Sequence, residues 1–408
     1  MKFKICAQVF IAAALLVTMT GCRQASVNTP LPTGAAQPQS INDILQPLLS
    51  QYQLPSIAAV VIFNGQVVAQ GAVGERKAGD TTPVTINDQY VLGSCTKAMT
   101  ATIMGMLVQQ GKLNWTSTMG DIFPEMKAEM LPKYRDVTIL ELLSHHAGLP
   151  DNSTLIGYYP PGTTVEYWQG LNEPIMQQRY EYTKDYLCQP DSPAVDALPA
   201  PGTTFKYSNV GYSIAAAVEE KVTGKSWEDL MTNMLFKPLG MTTAGFGPMA
   251  SGIDVNEPWQ SIYIGGHIVS IPPDSVSQGA FPFVPVLYPA GFVHLSVPDW
   301  AKFVTMHLEG ENGGSTLLSA DNFKILHTAP FNDGYALGWF VQPYYLWTGG
   351  KILSHGGDTA TDHADVWIGV SAKNNFAVLV TTNINEANAE MNLENLIGIL
   401  RAKFLPNQ

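Results

Sequence analysis

The sequence predicts an α+β fold in which one antiparallel sheet is assembled from both ends of the chain, flanked by helices, around a mostly helical middle with long loops. Three observations lead there. Short β-branched runs occur near the start, at residues 57–63 and 66–73, and again near the end, at 336–341, 365–370 and 376–382. Between them, apolar residues recur at helical spacing. Two long stretches, 151–204 and 251–289, are rich in Pro, Gly and aromatic residues and keep no period. Residues 39–113 and 291–408 would therefore form an α/β part, and 114–290 a helical, loop-rich part. A cleft between the two is the expected place for a site.

Taken in order, residues 1–21 read as an export signal: Lys2 and Lys4 precede an apolar run, 9–19, that is too short to span a bilayer comfortably. The run ends in Met19-Thr20-Gly21-Cys22, which resembles the bacterial lipoprotein signal. That resemblance implies lipidation of Cys22, with residues 22–38 as a Pro- and Ser-rich tether. A plain cleaved signal and an uncleaved anchor stay open beside it. The expected location is the cell envelope, on the periplasmic or extracytoplasmic face of a bacterial membrane. No polybasic patch accompanies the signal, so acyl chains and not charge would hold the chain there.

Composition sets further bounds. The 408 residues are 46% hydrophobic and 14% charged, with a net charge of −12, as expected for a globular protein with ample core. With no basic run, nucleic acid is excluded as a partner. On the lipoprotein reading Cys6 leaves with the signal and Cys22 would carry lipid, so of the four cysteines Cys95 and Cys188 make no disulfide framework. Cys95 is expected to be inert packing.

Residues 41–52 have a helical period with Ser40 placed as N-cap, and Asn64-Gly65 marks a hairpin between the first two strands. Further helices are expected at 98–108, 137–143, 211–222, 226–236, 298–308 (opened by Pro298), 319–327 and 388–404. The 98–108 run is apolar nearly all round, which marks a buried helix.

At the head of that helix stands Gly93-Ser94-Cys95-Thr96-Lys97. Ser94 and Lys97 are three apart, so on a helix they share a face. A serine hydroxyl needs a base to become a nucleophile, and a lysine whose pKa is lowered by burial can serve. Ser-x-x-Lys alone reads first as a helix N-terminus with an N-cap-like serine and a snorkelling lysine. Two more stretches change the balance. Tyr207-Ser208-Asn209 puts a phenol and an amide on one side of an extended segment, and His355-Gly356-Gly357 puts an imidazole beside two residues that let a substrate approach the backbone.

In this order the three motifs resemble those of the serine β-lactamase and penicillin-binding protein superfamily. The Tyr-x-Asn form is similar to the class C β-lactamase branch, with its related family VIII-type esterases, D-amino-acid peptidases and DD-peptidases. Further phrases match: residues 137–150, Lys237-Pro238-Leu239-Gly240-Met241, Ala290-Gly291-Phe292-Val293 and Tyr335-Ala336-Leu337-Gly338-Trp339. The resemblance runs over nearly all of the chain after residue 42. It implies a β-lactamase-like fold and an acyl-enzyme mechanism. Ser94 would be the nucleophile, Lys97 and Tyr207 would share the general base, and Asn209 would orient Lys97 and the substrate. The backbone amides of Ser94 and Asp358 would hold the oxyanion. His355, Gly356, Gly357 and Asp358 thus join Asn209 as the substrate-binding set, with no cofactor and no metal.

One motif departs from the family pattern. The third is usually Lys-Thr-Gly or Lys-Ser-Gly, whose lysine and hydroxyl bind a carboxylate; here His355 and Gly356 stand there. A neutral imidazole attracts a carboxylate weakly. The expected activity is hydrolysis of an ester or amide, including a D-amino-acid peptide, with weak β-lactamase activity at best. The expected partner is a small-molecule or peptide substrate, peptidoglycan-derived material among the candidates. Alternatives are a DD-peptidase or β-lactamase, acyl transfer to an alcohol or amine, and a catalytically silent envelope binding protein. His145-His146 is read as packing, and Asp362, His363 and Asp365 as a surface cluster and not a metal site. Tyr158, Tyr159, Tyr167 and Trp168 line either a groove or the core of an insertion. The absence of Gly-x-Ser-x-Gly removes an α/β-hydrolase.

Overall fold

The computed structural model describes residues 37–150, 167–168, 170–188, 193–249, 255–272, 284–345, 348–359, 361–370, 375–385 and 389–405. The expected signal, Cys22, nearly all of the tether, and Tyr158 and Tyr159 lie outside them.

Numbered in chain order, the strands near the start are β1 (Gln39–Ser40), β2 (Ser56–Phe63), β3 (Gln66–Gly74) and β4 (Gln89–Val91). Short strands β5 (Gly245–Phe246), β6 (Ser261–Ile264), β7 (His267–Ser270) and β8 (Val293–Ser296) follow in the middle. The chain ends with β9 (Phe340–Tyr345), β10 (Gly350–Asp358), β11 (His363–Val370) and β12 (Phe376–Thr382). The main sheet has the order β1-β3-β2-β12-β11-β10-β9, so the two ends of the chain meet where β2 pairs with β12. Every pairing in it is antiparallel except β1 with β3.

The run Ser56–Phe63 is apolar at successive positions because helices cover both faces of the sheet. On one face Val60, Ile62, Val366 and Leu379 share a core with Met99 and Ile103 of the Thr96–Gln109 helix and Phe303 of the Val297–Gly310 helix. On the other, Ile57, Val61, Val378 and Val380 pack with Leu45 of the Asn42–Tyr52 helix and with Leu396 and Leu400 of the Ala389–Phe404 helix. Asn64 and Gly65 make the expected hairpin turn between β2 and β3.

Several elements differ from the expectation. Ser40 belongs to β1, and the first helix is capped at Ile41. Residues 336–339 are not strand: Gly338, at φ 83°, turns the chain where a Cβ would stand 2.6 Å from Ala98 Cα, and the strand starts at Phe340. The His355 motif itself lies inside a strand, β10, directly before β11, which carries the expected 365–370 strand. Within 151–204 a helix spans Ile175–Leu187; its buried positions include Gln178, Arg179 and Thr183, which hides the apolar period. Arg179 is buried there because Glu220 and Glu228 pair with it. The expected irregular stretch 251–289 contains the β6–β7 hairpin. Trp168 is buried against Tyr182, in the core of the insertion, whereas Tyr167 is half exposed.

Candidate active site

A single 3-10 turn, Gly93–Cys95, leads into the Thr96–Gln109 helix. Two bonds fix it to β8: the Leu92 amide donates to Val293 O at 2.9 Å, and the Val293 amide donates to Thr96 Oγ1 at 3.1 Å. Ser94 therefore sits on a turn clamped between a small sheet and a buried helix. Cys95 beside it is buried and free, its thiol pushed up by burial and pointing at His355 O, 3.3 Å away. A thiol in that state is inert packing.

Lys97 is fully buried. Its Nζ lies 3.0 Å from Ser94 Oγ, 2.6 Å from Asn209 Oδ1 and 2.6 Å from Ala290 O. No carboxylate is among these partners, and burial holds the amine well below its usual pKa. A neutral amine has two N–H donors and one lone pair. The donors match the two carbonyl oxygens, and the lone pair is left for the Ser94 hydroxyl proton. Asn209 opens the Asn209–Thr223 helix, and Ala290 belongs to the short Tyr288–Gly291 helix. The amine thus ties three separate elements to the nucleophile turn.

The Tyr207 ring centroid lies 4.8 Å from Lys97 Nζ, with the Tyr212 ring behind it at 5.5 Å. The strand-like segment before Asn209 is held by His145. Lys206 N donates to His145 O at 2.8 Å, Ser208 N donates to His145 Nδ1 at 3.1 Å, and the His145 and Tyr207 rings are 4.2 Å apart. Burial keeps this imidazole neutral, which frees Nδ1 to accept. His146 stacks on Phe331 and bonds Asp333 through Nε2 at 3.0 Å. Both adjacent histidines are thus engaged within the protein, and no cluster suited to a metal occurs among the described residues.

His355 is also buried. Its Nδ1 lies 2.6 Å from Gly356 O, so Nδ1 carries the proton, and Nε2 accepts from the Tyr335 hydroxyl at 3.1 Å. Burial pushes the imidazole down to about 3. The third motif therefore presents no cation at neutral pH.

The two glycines of that motif have different surroundings. A Cβ on Gly357 would stand 1.9 Å from Leu92 O and 3.1 Å from Ser94 N. Reciprocally, a Cβ on Gly93 (φ 51°) would stand 2.6 Å from Asp358 N. Gly357 admits the Leu92–Ser94 backbone, not only a substrate as the sequence suggested. This contact brings the amides of Ser94 and Asp358 to one junction. Thr359 N donates to Asp362 O, across to β11. Successive amides of a strand face opposite ways, so Asp358 N–H points to the other edge. There the pairing of β9 with β10 ends at Ser354, so the amide has no β9 partner.

The residues of the three motifs thus converge: Ser94, Lys97, Tyr207, Asn209 and Asp358 gather at the nucleophile turn, with His355 beside them. Sequence reasoning missed two supports, Ala290 and Tyr335, which stood in matched phrases without a role, whereas His145 packs and hydrogen-bonds as expected. That reasoning also placed Asp362, His363 and Asp365 at the surface, whereas all three are buried: His363 pairs with Asp365, and Asp362 accepts from Gln260, Thr359 and Thr361. Their local sequence is polar, and only the fold shows that β12 and the Ala389–Phe404 helix cover them.

Comparison with known proteins agrees with this geometry. The beta-lactamase family model matches residues 41–402. Penicillin-binding protein 4 of Amycolatopsis lactamdurans is 26% identical over 324 residues, 76% of either chain. Protein flp of Staphylococcus aureus is 22% identical over 349 residues, 85% of this chain; the chain spans 63% of that protein's length. Among solved structures, the octameric penicillin-binding protein homologue from Pyrococcus abyssi superposes with a TM-score of 0.68 at 22% identity, over 88% of this chain and 76% of that one. The D-amino acid amidase from Ochrobactrum anthropi SV3 superposes with a TM-score of 0.65 at 16% identity, over 89% and 99%. With the family model covering nearly its whole length, the chain belongs to the beta-lactamase family, whose members are typically serine hydrolases.

Proposed function

We propose that this protein hydrolyses an ester or amide through an acyl-enzyme on Ser94. The observation that carries the reading is the buried amine of Lys97, 3.0 Å from Ser94 Oγ and with its two donors already committed to Asn209 and Ala290. Ser94 Oγ attacks the carbonyl carbon, and its proton passes to Lys97 Nζ, with Tyr207 sharing the transfer. The amides of Ser94 and Asp358 hold the negative oxygen of the tetrahedral intermediate. Collapse breaks the bond to the leaving alcohol or amine, which takes up the proton. Water, deprotonated by the same base, then releases the acid and restores Ser94.

The neutral His355 supports a substrate that needs no carboxylate beside the carbonyl. The likeness to a D-amino acid amidase supports amides and peptides of D-amino acids within this class. The likeness to a penicillin-binding protein supports a second reading, DD-peptidase action on peptidoglycan. The likeness of Met19-Thr20-Gly21-Cys22 to a lipoprotein signal supports a lipid anchor on a bacterial membrane as part of this reading.

The test is hydrolysis of a short-chain p-nitrophenyl ester by residues 39–408, beside Ser94→Ala. Turnover that vanishes in the variant is expected; equal rates in both would remove Ser94 as nucleophile. Release of D-alanine from a D-alanyl-D-alanine peptide, at a rate exceeding that of the ester, would favour the second reading. No turnover of any of these by folded protein would leave a binding protein.

A further inference from the structure

The side chains of Asp358, His363 and Asp365 take no part in the chemistry proposed above, yet they form a tight chain directly behind it. His363 Nδ1 lies 2.5 Å from Asp358 Oδ1, and its Nε2 lies 3.0 Å from Asp365 Oδ2. With an oxygen of a carboxylate at each nitrogen, the ring donates from both and is an imidazolium. Register explains the arrangement: Asp358 sits opposite His363, and Gly356 opposite Asp365, so the three side chains lie on one face of β10 and β11. Alternation puts His355 and Gly357 on the other face, against the nucleophile turn.

We propose that this Asp358–His363–Asp365 chain is a brace that positions the Asp358 amide against the Ser94 amide, with His363 as the positioning residue. It rests on the acyl-enzyme reading and deepens it. Three observations support it. Past Ser354, β10 has lost β9 and is paired on one side only. The segment that must stay in place there contains two successive glycines, which resist disorder least. And the base of the brace is rigid: His363 is buried, Asp365 is buried, and Thr381 of β12 donates to His363 O at 3.1 Å. The brace therefore ties the one loosely paired end of β10 to the centre of the sheet. Two carboxylates flanking the ring keep it charged up to about 10, against the cost of burial.

The experiment compares kcat and KM for the p-nitrophenyl ester across wild type, Ser94→Ala, Asp358→Ala, Asp358→Asn and His363→Gln, with thermal melts of each. The Asp358 side chain is 57% exposed, so its variants test positioning with little change in folding. Asp358→Ala is expected to lower kcat about tenfold with KM within about twofold, a smaller loss than removal of an oxyanion donor. Asp358→Asn keeps an acceptor for the Nδ1 proton and is expected to recover most of the rate. His363→Gln is expected to fall in kcat as well; if it does not fold, the Asp358 pair decides. The brace is overturned if Asp358→Ala keeps the wild-type kcat, if the loss lies in KM, or if Asp358→Asn is as impaired as Asp358→Ala. Retained activity in Ser94→Ala would instead overturn the acyl-enzyme reading, so the two failures are distinguishable.

Discussion

Adding one methyl group at Gly357 should stop the enzyme, while the same change one residue earlier should not. A Cβ at Gly357 meets Leu92 O at 1.9 Å, Leu92 C at 2.9 Å and Ser94 N at 3.1 Å. Ordinary contact begins at 3.4 Å, so β10 and the nucleophile turn would have to part by about 1.5 Å (3.4 less 1.9). All three atoms are backbone, and no side chain can rotate away to absorb the strain. A displacement of that size separates the Asp358 amide from the Ser94 amide, which is equivalent to losing one oxyanion donor. Such a loss costs about 3–4 kcal/mol of transition-state stabilisation, or 10²–10³ in kcat. At Gly356 a Cβ meets only Asp365 Oδ1, at 3.1 Å. A shift of about 0.3 Å in that one side-chain oxygen relieves the contact, so Gly356→Ala should keep kcat within about threefold.

The assay is steady-state hydrolysis of the p-nitrophenyl ester by both variants, with circular dichroism to show that each is folded. A folded Gly357→Ala enzyme with a kcat near wild type would refute the reasoning, because the amide pair would then be dispensable. Equal, large losses in both variants would refute it too, since strand flexibility and not close approach would be the cause.

Two further predictions rest on the same structure. Lys97→Met should lower kcat on the ester by about 10³-fold, within the range for removal of a general base, while leaving a folded protein; a kcat within tenfold of wild type would show that another group takes the Ser94 proton. Stability should fall on the alkaline side through His363. Burial works against its charge, but hydrogen bonds to Asp358 and Asp365 outweigh that and raise the ring from 6.5 to about 10. A raised pKa contributes stability that is full below 6.5 and is lost as pH climbs to about 10. At about 1.4 kcal/mol per unit the upper bound is about 5 kcal/mol, seen by urea denaturation at pH 7 and pH 10 as a drop in wild type that is absent in His363→Gln. Parallel curves for the two proteins would place the alkaline loss elsewhere.

Much of this was legible in the sequence because the relevant signals are local. Ser94 and Lys97 are one helical turn apart, Tyr207 and Asn209 are two apart in an extended segment, and the apolar strands 57–63 and 376–382 carry no competing period. What escaped was non-local. The Ile175–Leu187 helix hides its period because Arg179 is buried against Glu220 and Glu228, 41 and 49 residues away. The 336–341 run has strand-like residues, but Gly338 must yield to the Ala98 backbone, so tertiary contact overrides propensity. His145 gains meaning only when the 206–208 segment folds over it, and His363 only when β10 and β11 pair.

The change in the third motif follows a physical logic that the structure makes visible. A lysine at position 355 would be a cation in the cleft wall, beside the buried amine of Lys97. Each would lower the other's affinity for a proton, and each would need solvation or a carboxylate that this wall lacks. His355 avoids the conflict, with Nδ1 donating to its own strand at Gly356 O and Nε2 accepting from Tyr335. The ring fills the wall as a neutral, fully hydrogen-bonded group. Lys97, His145 and His355 are then all held toward their uncharged forms by burial, and the charged pair His363–Asp365 lies on the opposite face of the sheet. Among the described residues, these neutral side chains offer no built-in attraction for an anionic substrate. The catalytic strength of the site must come from donors fixed in the backbone, which is why the glycines at 93 and 357 matter more here than any charge.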